Sequence, residues 1–156
     1  AKAVAEKYKD NVALIFRNFP IATIHPNARA AAAAAEAAGF QGKFWEMHDL
    51  IYANQDTWSQ ASTNDRTEIF LGYARQLGLK EEQFEEELSD ARITKKINFD
   101  VAIARTQGVT GTPTFYINGE LVEATNDADY LENAVKEALK KAGVEVKEEA
   151  AQTPTE

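Results

Sequence analysis

A chain of 156 residues is long enough for one compact domain with its own core and too short for two of ordinary size. Its 44% hydrophobic and 27% charged residues are ordinary for a globular protein, and no apolar run is long enough to span a bilayer. The net charge of −8 argues against nucleic acid as a partner, and with no cysteine the chain has no thiolate nucleophile, disulfide or zinc–thiolate site of its own.

The opening, residues 1–8, reads as the end of a helix, with Ala3, Val4 and Tyr8 on one side and no N-cap before it. Asp10-Asn11 makes a turn. Val12-Ala13-Leu14-Ile15-Phe16 is a continuous apolar run, as expected of a strand covered on both faces, and Pro20 ends it. Pro26 suits the first turn of a helix over 27–38, which is almost all alanine and is stopped by Gly39. A second helix is predicted over 43–54, with Phe44, Trp45, Met47, Leu50 and Ile51 at helical spacing. Asp56-Thr57-Trp58-Ser59 reads as loop. Thr63 or Asn64 caps a third helix, whose buried stripe is Ile69, Phe70, Tyr73 and Leu77 before Gly78. A short acidic helix from about Glu81 is anchored by Phe84 and Leu88, and another over 90–107 carries Ile93, Ile97, Val101 and Ile103 up to Gly108.

Beyond Gly108 the period changes. Thr114-Phe115-Tyr116-Ile117 and Leu121-Val122-Glu123-Ala124 read as two strands around Asn118-Gly119, a pair that tolerates the positive φ of a type I′ hairpin turn. Asn126 or Asp127 caps a last helix through Lys141, with Tyr130, Leu131, Val135 and Leu139 facing inward and Gly143 at its end. Residues 144–156 are polar and acidic and read as a disordered tail.

Few residues outside this framework suggest chemistry. Glu46 and Asp49 share a helix face, but His48 points elsewhere and the trio makes no metal site; no cofactor is expected either. His25, before a proline, orders a loop. The runs Glu81-Glu82 and Glu85-Glu86-Glu87 read as the solvated face of a short helix. No phosphate-binding loop or nucleophile-elbow motif is present.

Five pieces in order carry a resemblance: Phe16-Arg17-Asn18-Phe19-Pro20; His25-Pro26-Asn27-Ala28; Gln41-Gly42-Lys43-Phe44-Trp45-Glu46-Met47-His48; Gly108-Val109-Thr110-Gly111-Thr112-Pro113-Thr114-Phe115; and Ile117-Asn118-Gly119. Together they resemble the DsbA-like branch of the thioredoxin superfamily, over nearly all of residues 1–141. The resemblance implies an α/β, thioredoxin-like sheet over 1–143 with an all-helical insertion over 26–107. It also implies a cis Thr112-Pro113 bond, although X–Pro bonds are cis in only about 5–6% of folded cases. Gly111, Thr112 and Pro113 would then bind substrate, the backbone of Thr112 pairing with an extended segment. The partners implied are unfolded or extended polypeptides and a redox partner protein. The setting implied is extracytoplasmic, in the periplasm or cell envelope, exported or membrane-anchored.

The resemblance places a Cys-x-x-C motif on the first turn of the helix that ends at 1–8, where free N–H groups stabilise a thiolate. That turn, and the strand before it, would lie upstream of Ala1. The expectation is a fragment of an oxidoreductase, lacking its redox cysteines and inactive as given; the alternative is a non-catalytic peptide-binding module. In this fold the upstream strand lies between 12–16 and 114–117 and buries some four apolar side chains at roughly 1.5–3 kcal/mol each. That rivals the roughly 5–15 kcal/mol stability of a domain, so the chain alone is expected to be marginal.

Overall fold

The computed structural model describes residues 1–144; of the expected tail, only Val144 is among them and the rest lies outside the described residues. In chain order the elements are α1 (Lys2–Lys7), α2 (Ala28–Phe40), α3 (Phe44–Ala53), α4 (Gln55–Trp58), α5 (Thr63–Gln76), α6 (Glu81–Glu87), α7 (Ala91–Thr106), β1 (Phe115–Ile117), β2 (Glu120–Val122) and α8 (Tyr130–Lys141). They fall into two units: Arg17–Thr112 is helical, and Ala1–Phe16 joins the chain from Pro113 onward in a unit containing the hairpin.

The helical unit is organised by α2. Ala34, Ala37 and Ala38 are fully buried, and the small side chains let α3 and α7 pack closely on it. Phe70, Phe84, Met47, Ile93 and Ile97 fill the core. A buried aromatic or aliphatic side chain of this size contributes roughly 1.5–3 kcal/mol. Gly39 does not stop α2, which continues to Phe40; the chain turns instead at Gly42, with φ of 77°. A Cβ at Gly39 would lie 3.4 Å from the Cβ of Phe44, at the start of α3, in van der Waals contact.

Residues 55–58 form one helical turn rather than the expected loop. Apolar burial and one hydrogen bond explain it. Trp58 is buried, its ring 5.9 Å from that of Phe70, and its Nε1–H donates to the carbonyl of Ile51 at 2.8 Å. That carbonyl belongs to the last turn of α3, where helix acceptors run short of partners. The cap of α5 is Ser62, one residue before the expected Thr63: its hydroxyl accepts from the Asp65 N–H at 3.3 Å. Glu87 also departs from expectation. It is buried, accepting from Gln41 at 3.2 Å and Gln83 at 2.8 Å, so α6 presents one carboxylate inward rather than a wholly solvated face.

In the other unit, β1 and β2 pair antiparallel with Phe115 opposite Val122, Tyr116 opposite Leu121 and Ile117 opposite Glu120. Asn118 and Gly119 have φ of 51° and 88°, the signs a type I′ turn demands. The second strand thus starts directly after the turn, one residue earlier than expected. A small core of Tyr8, Val135 and Leu139 sits with Val4, Val12 and Ile117 around it. The helix α8 begins at Tyr130, after the expected cap; Asp127 instead accepts from the Asp129 N–H and the Asn133 side-chain amide, both at 3.0 Å.

Residues 12–16 were expected as a strand covered on both faces. Among the described residues they belong to no sheet, and their burial alternates: Val12, Leu14 and Phe16 are half-buried, while Ile15 is 71% exposed. Extended backbone sends successive side chains to opposite faces, and here one face is covered. The ladder that would define the run as a strand is not formed among the described residues.

Candidate functional site

Helix α7 is closed by Gly108, with φ of 76°, and the chain then runs without regular structure to β1. Gly111 is half-buried; Thr112, Pro113 and Thr114 are exposed. Gly111 has no positive φ, and no heavy atom lies within 4 Å of where its Cβ would be, so its own neighbours do not demand a glycine. Pro113 lies two residues before the start of β1, where its missing N–H breaks no ladder bond. Gly111 and Thr112 end the helical unit and Pro113 begins the other. Thr112 and Pro113 are open to solvent, and Gly111 is partly covered.

A second cluster was not singled out in the sequence. Asp100, on the inward stripe of α7, is 0% exposed. Its carboxylate accepts from Lys96 Nζ at 2.8 Å, Arg17 Nη1 at 3.0 Å, and the Asn18 backbone N–H and side-chain amide, both at 3.1 Å. The same Asn18 amide donates to Glu36 at 2.6 Å, and Lys96 also pairs with Glu36 at 3.0 Å. Burial alone would raise the Asp100 pKa, but the donors from Lys96, Asn18 and Arg17 outweigh it and hold the carboxyl below its ordinary value. Burial would likewise lower Lys96, and its bonds to Asp100 and Glu36 reverse that. The arrangement fastens the backbone at Arg17-Asn18 to α2 and α7. Two signals in the sequence point to it: Asp100 continues the spacing of Ile93 and Ile97, and Glu36 is the lone acid in an alanine helix.

In the hairpin unit Glu132 of α8 accepts from Lys7 at 2.8 Å and Tyr8 at 2.9 Å, and pairs with Lys136 at 3.2 Å. These partners, Lys7 foremost, depress its pKa to about 2. The contact ties α1 to α8.

The histidines are placed separately. His25 is exposed in the turn before α2, its N–H donating to the Ile21 carbonyl and its carbonyl accepting from Ala28, both at 3.0 Å. His48 stacks against Trp45 and Tyr52, with ring centroids 5.2 and 4.6 Å away, and its Nδ1 lies 3.0 Å from Asp49, the neighbour it was expected to point away from. Glu46 pairs with Lys43 at 2.9 Å. Among the described residues no three His, Cys, Asp or Glu side chains are grouped to hold a metal ion, and no helix is long and apolar enough to cross a membrane.

These features define a mostly helical chain with a small two-stranded sheet, a thioredoxin-like α/β fold with a helical insertion. The thioredoxin family profile matches residues 1–137, and the chain belongs to that family. A solved thioredoxin-like oxidoreductase from Silicibacter pomeroyi superposes with a TM-score of 0.65 at 29% identity, covering 89% of this chain and 75% of that one. Among curated proteins, the chain is 41% identical over 139 residues to a protein of Salinispora arenicola named Na(+)/H(+) antiporter NhaA 1, covering 88% of this chain and 20% of that protein. It is 40% identical over 132 residues to Na(+)/H(+) antiporter NhaA 3 of Salinispora tropica, covering 85% and 19%. The chain thus spans about a fifth of the length of these curated relatives.

Proposed function

We propose that this chain is the substrate-binding part of a DsbA-like thiol–disulfide oxidoreductase that forms or isomerises disulfides in exported proteins, with its Cys-x-x-C on sequence ahead of Ala1. The observation that carries the reading is the exposed Thr112-Pro113 turn leading into β1, in a chain of the thioredoxin family. An extended substrate segment pairs with the backbone of Thr112, and Pro113, in the cis form, turns the chain toward it. In the oxidising direction a substrate thiolate attacks the enzyme disulfide, giving a mixed disulfide and freeing the second enzyme thiolate. A second substrate thiolate then attacks the mixed disulfide, leaving an oxidised substrate and an enzyme dithiol, which a redox partner protein reoxidises. An extracytoplasmic setting, where disulfides persist, fits this chemistry. The match to one fifth of proteins named as antiporters favours the membrane-anchored form of that setting.

The absence of any cysteine favours a second reading, a non-catalytic module that keeps the peptide-binding turn. Both readings require peptide binding at that turn. Isotope-labelled chain titrated with a cysteine-free extended peptide is expected to show amide shifts at 109–114, and Pro113→Ala to weaken binding by roughly tenfold. Shifts that leave 109–114 untouched would sink both readings.

A further inference from the structure

The hairpin has a second edge, on the far side of β2. With a two-residue turn, Ile117 and Glu120 form the hydrogen-bonded pair next to it, and the alternation of an antiparallel ladder makes Tyr116 and Leu121 the non-hydrogen-bonded pair. Leu121 therefore directs its N–H and C=O away from β1, and no other described strand pairs with β2 on that side. Leu121 itself is 55% exposed. Beside this edge runs a groove of about 660 Å³ between β2 and α8, with an apolar floor of Val122, Tyr130, Ala134 and Ala138. Its rim carries Glu120, Glu123, Asp127 and Glu137 against one cation, Lys141, which lies 3.9 Å from Glu120 and 3.7 Å from Glu137.

The geometry points to a docking site for an extended basic segment of a partner protein, which adds as a strand to the Leu121 edge and lays its cationic side chains along the acidic rim. An open strand edge is a template for pairing, and its charges choose what pairs. A second copy of this chain brings Glu120 and Glu123 against the same carboxylates, and like charges facing across strands repel. A lysine- or arginine-bearing strand meets the opposite situation. This site is distinct from the Thr112-Pro113 turn and stands whether or not that turn binds substrate.

The test uses the whole chain and a blocked peptide of alternating valine and lysine, with an alternating valine and glutamate peptide as control. Amide shifts are expected at 120–123 and along the α8 face at 130–138, with affinity falling by about tenfold or more between low and physiological salt. Leu121→Pro removes the outward N–H without touching a bond to β1 and is expected to abolish binding. Should that variant lose the Phe115–Val122 cross-strand contact, Glu120→Gln with Glu123→Gln replaces it, and a loss of at least about tenfold is expected. The proposal is overturned by equal affinity for the glutamate peptide, by shifts confined to 111–114, or by concentration-dependent self-association that protects 120–123.

Discussion

The two units handle their backbone differently. In the helical unit, Arg17–Thr112, each helix closes its own hydrogen bonds, and six of them meet around Phe70, Phe84, Met47 and the buried alanines of α2. In the unit with the hairpin, among the described residues, the buried core is Tyr8, Val135 and Leu139, the sheet has two strands, and Ile15 is largely exposed on a segment outside that sheet. Helices need neighbours only for their apolar stripes, whereas strands need them for backbone pairing as well, and a two-stranded sheet is marginal by itself. The helical unit should therefore tolerate isolation better than the other.

The largest effect is expected from emptying the helical core. Phe84→Ala should destabilise that unit by about 3–5 kcal/mol, read as a shifted denaturant midpoint by tryptophan fluorescence of Trp45 and Trp58. An unchanged midpoint would mean that the packing around Phe84 does not hold this unit together. Next, Asp100→Ala should cost about 2–3 kcal/mol, toward the lower end for a broken buried pair because Arg17 and Lys96 can reach water. The folded-state pKa of Asp100 is depressed, so its contribution is present above the ordinary carboxylate range and is lost as pH falls below about 4. Asp100→Asn should flatten that part of the stability–pH curve; an unaltered curve would show that Asp100 does not couple folding to protons.

A smaller and more local effect is expected at Glu132. Its pKa of about 2 against an ordinary 4.5 means that the tie from α1 to α8 is intact above pH 4.5 and is lost as pH falls toward 2. Glu132→Gln should raise amide exchange in residues 2–8 at neutral pH and leave 63–106 alone. Exchange rising equally in both units would argue against a local tie. Smallest of all, Gly119→Ala should cost about 1 kcal/mol through a φ of 88°, visible as weakened β1–β2 contacts by NMR.

The sequence was legible where a residue type has one physical use. Asn118-Gly119 announced its turn, Gly78 and Gly108 closed the helices they were expected to close, and the stripes of 69–77 and 93–97 lie where their period placed them. It was illegible where tertiary contacts decide. Trp58 turns a polar stretch into a helical turn because its ring and indole N–H find partners in α3 and α5, which no local pattern encodes. Gly39 looked like a stop, and α2 runs past it to Phe40 before the chain turns at Gly42. Asp100 was not singled out in the sequence, because only the fold brings Arg17, Asn18, Glu36 and Lys96 together around it. The Gly111-Thr112-Pro113 turn was picked out by motif, and its exposure is what the structure adds.

The proposed function requires a Cys-x-x-C carried ahead of Ala1. Its most direct test is the intact mass of the native protein from its source, with peptide mapping of its N-terminal region and a count of free and disulfide-bonded thiols. The expected mass extends upstream through a strand and two cysteines with two residues between them. A native protein without cysteine ahead of residue 1 would contradict it and leave a peptide-binding module as the function of this fold.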